Sequence, residues 1–419
     1  MPSLSIGQEM FHATISDNPI QKPFFLKELY PQCGEAGKFQ IDLSRKFGFN
    51  RYSPRNGVWT TPWPLKEIPG YEMPVYDANF SKSFSEVSDS KAVEIQNMLI
   101  NDPEQKIALY YSGGMDSLLI LVALLKTLTE SQLAQLTICT SMDSVIEYPA
   151  FFEKYIYNKI KIIDLKEGKI RYSDLWNLGY RVITGDSGDA MFGTEVATQF
   201  YYSYKNYCKN LSGENITKLG NLLSSVDNRD IHYSVFADIL IQYFGLRQNP
   251  NFGRLYYEKL VRLANTSQYP VHSLHDFMWQ IIFNIKWMHC AARGPLFFGE
   301  RENHKESLQV STINWYQTDD YQKWSMANNN TGEKIRGITS ATYKWAARKY
   351  IFEFTNDPWY MHFKIKLASL PKIGPTSVNV AIDVGIRFGI DTNYDMLRFT
   401  DPGVKDYVTH HLTSYALDW

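Results

Sequence analysis

Apolar runs and polar breaks alternate most regularly between residues 92 and 193. Residues 106–111 (Lys106-Ile107-Ala108-Leu109-Tyr110-Tyr111) form a short apolar run of strand length, ended by Ser112-Gly113-Gly114-Met115-Asp116-Ser117. A helical run follows over 118–128. Residues 136–141, 161–165 and 180–184 are three more strand-length runs, with a helix expected over 148–158. Strand-length and helix-length patterns in alternation predict a parallel sheet with helices on both faces. Sheets of this kind bind ligands outside the carboxyl ends of their strands, where the Gly/Ser/Asp-rich segments 112–117 and 184–193 fall.

The flanks read differently. Pro54, Gly57, Pro62, Pro64, Pro69, Gly70 and Pro74 punctuate short apolar pieces such as Phe39-Gln40-Ile41-Asp42-Leu43. Residues 1–95 are therefore expected to be a small N-terminal region of strands and loops. A helix is expected from Ala92, carried by Val93, Ile95, Met98 and Leu99 and stopped by Asn101-Asp102-Pro103. Beyond Gly193 the pattern is mainly helical, over 235–244, 255–263, 275–290 and 341–354, with a polar surface loop at 328–332. The expected fold class from this pattern is α/β, a parallel sheet with helices on both faces, in a domain spanning 96–419. Its core covers about residues 100–200, and its helical half 200–419.

Composition narrows the function classes. Hydrophobic residues make up 44% and charged residues 21% of the 419, which excludes a wholly disordered or fibrous chain. Lys plus Arg (43) balances Asp plus Glu (44), so no chain-wide positive field draws in a large polynucleotide or an anionic membrane. The four cysteines are far apart with no CxxC pair, which argues against a disulfide framework or a Cys-based zinc site and for a reducing compartment. The longest wholly apolar run, 118–125, falls well short of the ~18 residues that a membrane span needs. Residues 1–19 carry no basic stretch followed by an apolar segment, and a cytoplasmic location is expected. Aromatic residues reach 15%, with a cluster at 200–207. Core packing accounts for it most simply; the alternative is a base-stacking surface with Lys205 and Lys209 on the backbone.

Residues 112–117 carry the chemistry. Two glycines after a buried strand let the backbone turn sharply and bring its N–H groups to an anion, and the next helix points its N-terminus there too. Ser112 and Ser117 add hydroxyl donors. Asp116 would repel phosphate unless a divalent cation lies between them, so it is read as holding Mg²⁺ while the loop holds a pyrophosphate. The segment lacks the lysine of the GxxxxGK[ST] loop.

Ser112-Gly113-Gly114-Met115-Asp116-Ser117 resembles the SGGxDS loop of the PP-loop (N-type) ATP pyrophosphatases, which split ATP between its α- and β-phosphates. Thr184-Gly185-Asp186-Ser187-Gly188-Asp189-Ala190-Met191-Phe192-Gly193 is similar to the SGEGSDExFGG segment of the asparagine synthetase domain, and the spacing between the two suits that domain. The resemblance covers about residues 100–200 and is fainter at 285–293 and 313–324, which echo core helices of the family. It implies an adenine nucleotide alpha hydrolase-like fold, with a doubly wound, mostly parallel five-stranded sheet, and with ATP and Mg²⁺ required. It also implies that Ser112, Gly113, Gly114, Asp116, Ser117 and Gly185 bind ATP and pyrophosphate, and that Asp116 and Asp189 hold Mg²⁺. Asp186 matches a glutamate that acts as base or orients the nucleophile. Lys366, in Lys364-Ile365-Lys366, matches a late lysine that neutralises the leaving pyrophosphate.

The chain departs from that pattern at two places. Asp186 is one methylene shorter than the family's glutamate, and Ala190 replaces the glutamate after the second carboxylate. Both changes put the usual acceptor, aspartate, in doubt. The glutaminase domain with its N-terminal cysteine nucleophile is not matched, so the amine is expected to be ammonia, a partner protein's product, or an amino group on the substrate. The expected function is an ATP-dependent, AMP-forming ligase that activates a small-molecule carboxylate and forms an amide. The rivals are an ATP pyrophosphatase acting on a nucleobase or nucleic acid, and a non-catalytic nucleotide-binding scaffold. His289, Cys290 and Arg293 are read as packing, His410 and His411 as solvated surface, and Asp319-Asp320 as a helix start.

Overall fold

The computed structural model describes residues 55, 72–140, 142–164, 172–192, 234, 237, 250–272, 274–287, 312–327 and 344–363. In chain order the elements are α1 (Phe84–Asn101), β1 (Lys106–Tyr110), α2 (Met115–Thr127), α3 (Glu130–Leu133), β2 (Leu136–Thr140), α4 (Met142–Glu147) and α5 (Pro149–Phe151). After a π-turn at Phe152–Ile156 come β3 (Lys161–Asp164), α6 (Tyr172–Asn177), β4 (Tyr180–Thr184) and α7 (Gly188–Phe192). Then follow α8 (Pro250–Asn265), α9 (Leu274–Ile281) with a π-turn at Ile282–Lys286, β5 (Thr312–Asn314), α10 (Asp319–Ala327), α11 (Trp345–Thr355) and α12 (Pro358–Phe363). Among the described residues no helix is long and apolar enough to cross a membrane.

All five strands are parallel, in the order β3-β2-β1-β4-β5, so the fold is α/β. The central strand β1 pairs with β2 on one side (Ala108 opposite Thr137) and with β4 on the other (Ala108 opposite Val182). Ile107, Ala108 and Leu109 have no solvent exposure. A parallel strand covered on both faces reads as a continuous apolar run, which is why these short segments stand out in the sequence. The chain leaves β1 for β2 and β3, then returns to the other side of β1 as β4. The strand order therefore reverses between β1 and β4, and the loops that follow these two strands carry the two sequence motifs.

Two compact units divide the chain. One comprises residues 82–185, 310–315 and 345–419; the other comprises 1–81, 186–309 and 316–344. In the sheet unit the middle of α2 is apolar all round: every residue from Leu118 to Leu124 is fully buried. Such a helix must be covered on every side, and α1 and α11 pack against it. Lys126 on α2 pairs with Asp89 on α1 at 2.7 Å and lies 4.2 Å from the ring centroid of Tyr350 on α11, whose hydroxyl donates to Asp89.

Three expectations change in detail. The first helix begins at Phe84 rather than Ala92, because Ser83 and Glu86 form a capping box and Phe84 and Val87 already face the core. It therefore runs across residue 95. Over 148–158 the helix is a single turn, α5, continued by the π-turn. Residues 312–314, in a stretch likened to a core helix, instead form the edge strand β5, which pairs with β4; α10 then starts at Asp319, as Asp319-Asp320 suggested.

The other unit is organised by aromatic side chains. Trp279 is fully buried, and its indole N–H lies 3.1 Å from the Met191 carbonyl and 2.9 Å from Ser325 Oγ. Its ring stacks on Phe283 at 4.8 Å and meets Tyr269 edge-on at 4.7 Å. Phe192 of α7 meets Trp324 of α10 in the same way at 5.9 Å. Here the aromatic excess is core packing, with the indole's polar atom supplied with acceptors as burial requires. The cluster at 200–207 lies outside the described residues.

Candidate functional site

The loop after β1 is built around Gly113. Its φ of +67° lies in the left-handed region, and a Cβ there would run into the Ser144 carbonyl oxygen and lie 2.5 Å from Glu147 Cβ. Only glycine meets both demands, because α4 crosses directly against the turn. Gly114 is the N-cap of α2, with no side-chain capping bond, so the first N–H groups of a thirteen-residue helix keep their positive end without an internal acceptor of that kind.

The two serines divide their roles. Ser117 is buried: its hydroxyl donates to the Gly114 carbonyl (3.1 Å) and accepts from the Ser112 N–H (3.1 Å). It is a staple inside the loop, not a donor directed outward. Ser112 is exposed, and its hydroxyl lies 3.2 Å from that of Ser117. Asp116 is half-buried on the first turn of α2. Gly185, at the end of β4, lies against it: a Cβ on Gly185 would be 3.2 Å from Asp116 Cβ and 3.3 Å from Ile120 Cδ1. The missing side chain lets the end of β4 close on the start of α2, which brings Gly185 beside Asp116.

The strand ends beneath the loop are fixed. The Tyr111 N–H donates to the Cys139 carbonyl (2.9 Å), and Thr140 Oγ1 donates to the Tyr111 carbonyl (3.0 Å). Burial, reinforced by the Glu147 carboxylate, raises the Tyr111 phenol's pKa well above its ordinary value. Its hydroxyl is buried with no hydrogen-bond partner among the described residues. Burial also pushes the Cys139 thiol up to about 12. Beyond α4, the Tyr148 hydroxyl donates to Asp357 (2.6 Å) and its ring stacks on Tyr360 at 4.8 Å. That phenol's pKa too is raised, by burial first and then by Asp357.

The second motif continues into the other unit. Asp186 is half-buried, and Ser187 is buried and accepts from Gln317 Nε2 at 3.3 Å. Asp189, on α7, forms an ion pair with Lys344 at 2.5 Å. Lys344 is only 2% exposed, has a φ of +52°, and sets its ammonium 5.7 Å from the centroid of the Phe192 ring. Lys344 falls inside the helix expected over 341–354. That helix begins at Trp345, and a lysine just before a helix start gives no sign of burial by itself. Among the described residues no group of three or more His, Cys, Asp or Glu side chains comes together as a metal site.

Lys366 lies outside the described residues, as do His289, Cys290, Arg293, His410 and His411. Of the sequence-derived candidates, the structure brings Ser112, Gly113, Gly114, Asp116, Ser117 and Gly185 together in the sheet unit, and joins Asp189 to a lysine that the sequence had not singled out. In comparisons with protein-family models, curated proteins and solved structures, nothing matches this chain.

Proposed function

We propose that this chain is an ATP-dependent, AMP-forming ligase that activates a small-molecule carboxylate and joins it to an amine or ammonia. The observation that carries the reading is the Gly113 turn, which no other residue fits. It sits at the carboxyl end of the central strand and opens a long buried helix whose N-terminal donors lack a side-chain cap. Backbone donors of this kind suit a polyphosphate, and a carboxylate on the first helical turn suits the divalent cation that travels with it.

In this reading Ser112, Gly113 and Gly114 hold the pyrophosphate portion, Ser117 keeps the loop in shape, and Gly185 leaves room beside Asp116. Asp116 holds Mg²⁺, which supplies charge neutralisation on the departing pyrophosphate. Asp186, the next residue after Gly185, takes or orients the proton of the attacking amine, a task for which its short side chain requires a closely held nucleophile or one water in between. Lys366 remains the proposed partner of the leaving group.

The test is pyrophosphate release from ATP and Mg²⁺ in a metabolite extract, comparing the wild-type chain with Asp116→Asn. Release by the variant is expected to fall ~10²–10³-fold with the fold retained by circular dichroism. Equal release by both proteins overturns the assignment. Nucleotide binding without any pyrophosphate release by the wild type favours the scaffold reading, and modification that appears only with added RNA or DNA favours the nucleobase reading.

A further inference from the structure

We infer that Lys344 stands where a divalent cation would otherwise neutralise Asp189, so that Asp189 is not a metal ligand in this chain. The inference rests on the ATP reading only in asking which carboxylate carries its Mg²⁺. Resemblance pairs Asp116 and Asp189 as the two carboxylates of that ion, and the surroundings of Asp189 do not fit the part.

Four features of those surroundings point the same way. An ammonium buried to 2% exposure is stable only when its charge is answered, and Asp189 Oδ1 answers it at 2.5 Å. Drawing Asp189 onto a metal would weaken that answer and place a divalent charge beside a buried monovalent one. The lysine is also held from two sides by one helix. Asp189 and Phe192 are three residues apart on α7 and therefore share a face, one supplying the carboxylate and the other a ring toward which the ammonium lies. In addition, the lysine's backbone is left-handed, a conformation that a non-glycine residue keeps only where its surroundings over-determine it. Finally, Ala190, fully buried, stands where the family pattern has a further carboxylate, so the local charge suits one ammonium better than a doubly charged ion.

The test uses the full chain with Mn²⁺ as the metal, an ATP analogue that cannot be cleaved between its α- and β-phosphates, and electron paramagnetic resonance of free Mn²⁺. The Lys344→Met/Asp189→Asn double variant, which leaves no lone ammonium behind, is expected to bind Mn²⁺ with the analogue within about twofold of the wild type, while Asp116→Asn loses ~10-fold or more. A loss of ~10-fold or more in the double variant overturns the inference. Thermal unfolding without nucleotide gives a second, independent readout. Lys344→Met should be destabilised, and adding Asp189→Asn should recover part of the loss, because the double variant no longer holds a half-buried carboxylate without its lysine. Strict additivity of the two substitutions overturns the inference as well. If the wild type binds no nucleotide, the ATP reading falls, and the unfolding cycle still decides for or against the pair.

Discussion

Two adjacent glycines have different reasons to be there. Gly113 is left-handed and wedged against α4, whereas a Cβ on Gly114 would meet only the Ser112 hydroxyl, at 3.2 Å, and that side chain can turn away. Gly113→Ala is therefore expected to cost ~2–5 kcal/mol, combining backbone strain with overpacking, while Gly114→Ala costs ~1 kcal/mol or less. Urea unfolding of the two variants checks this, and equal midpoints would refute the geometry. Cys139 offers a test of the packing behind the loop. Its thiol is pushed up to about 12 by burial, so the fold favours the protonated form. The stability this contributes is complete below the ordinary thiol value of ~8.5 and is lost as pH rises from there toward 12. Iodoacetamide at pH 8 should leave the Cys139 peptide unlabelled in the folded chain and label it in urea, as read by mass spectrometry. Equal labelling in both would mean that β2 is not closed at this end. The turn at Gly113 was readable because two adjacent glycines between an apolar strand and a helix already mark a tight turn. Lys344 was not, because a lysine becomes buried only through its partners.

At the scale of elements, the ends proved harder to read than the middles. α1 shows why: Ser83-Phe84-Ser85-Glu86 is a capping box, with the Glu86 carboxylate accepting from the Ser83 N–H at 2.7 Å and Ser83 Oγ accepting from the Glu86 N–H at 3.2 Å. The polar residues around it masked the helical period, and Ser88 conceals its hydroxyl by donating to the Phe84 carbonyl at 2.8 Å. Ser83→Ala should lower stability by about 1 kcal/mol through loss of the cap. The same bonds to Ser83 hold the Glu86 carboxyl below its usual range, so its contribution is present above the ordinary carboxylate value and is lost as pH falls through the lowered one. The difference between wild type and Ser83→Ala should therefore shrink in acid, and a constant difference from pH 7 to pH 3 would refute the coupling. β5 was missed for another reason. Three residues are too few to show an alternation, and Thr312-Ile313-Asn314 becomes a strand only because β4 has an open edge beside it.

For the sheet unit as a whole, stability centres on α2. Its fully buried apolar residues are covered by α1 and by α11, a helix more than two hundred residues further along the chain. Leu121→Ala should cost ~2–5 kcal/mol because no neighbour can relax into the space, as thermal or urea unfolding would show. The surface clasp of Asp89, Lys126 and Tyr350 ties the same three helices together. Both charged partners are more than a third exposed, so that pair adds at most ~1 kcal/mol and the apolar contacts dominate.

What the sequence determined by itself was local and periodic. Four short apolar runs with helical stretches between them identify a parallel sheet, because strands buried on both faces must be apolar throughout. The Ser112–Ser117 segment declares a tight turn between a strand and a helix, because two adjacent glycines allow a left-handed residue there. Tertiary structure alone decided which strands are neighbours, that β5 completes the sheet, and that Ser117 serves the loop's framework. It also decided that Gly185 rests against Asp116 and that Asp189 is met by Lys344. Each of these depends on residues far apart in the chain meeting in space. Burial, charge compensation and the closeness of two backbones are properties of the meeting, and neither partner carries them alone.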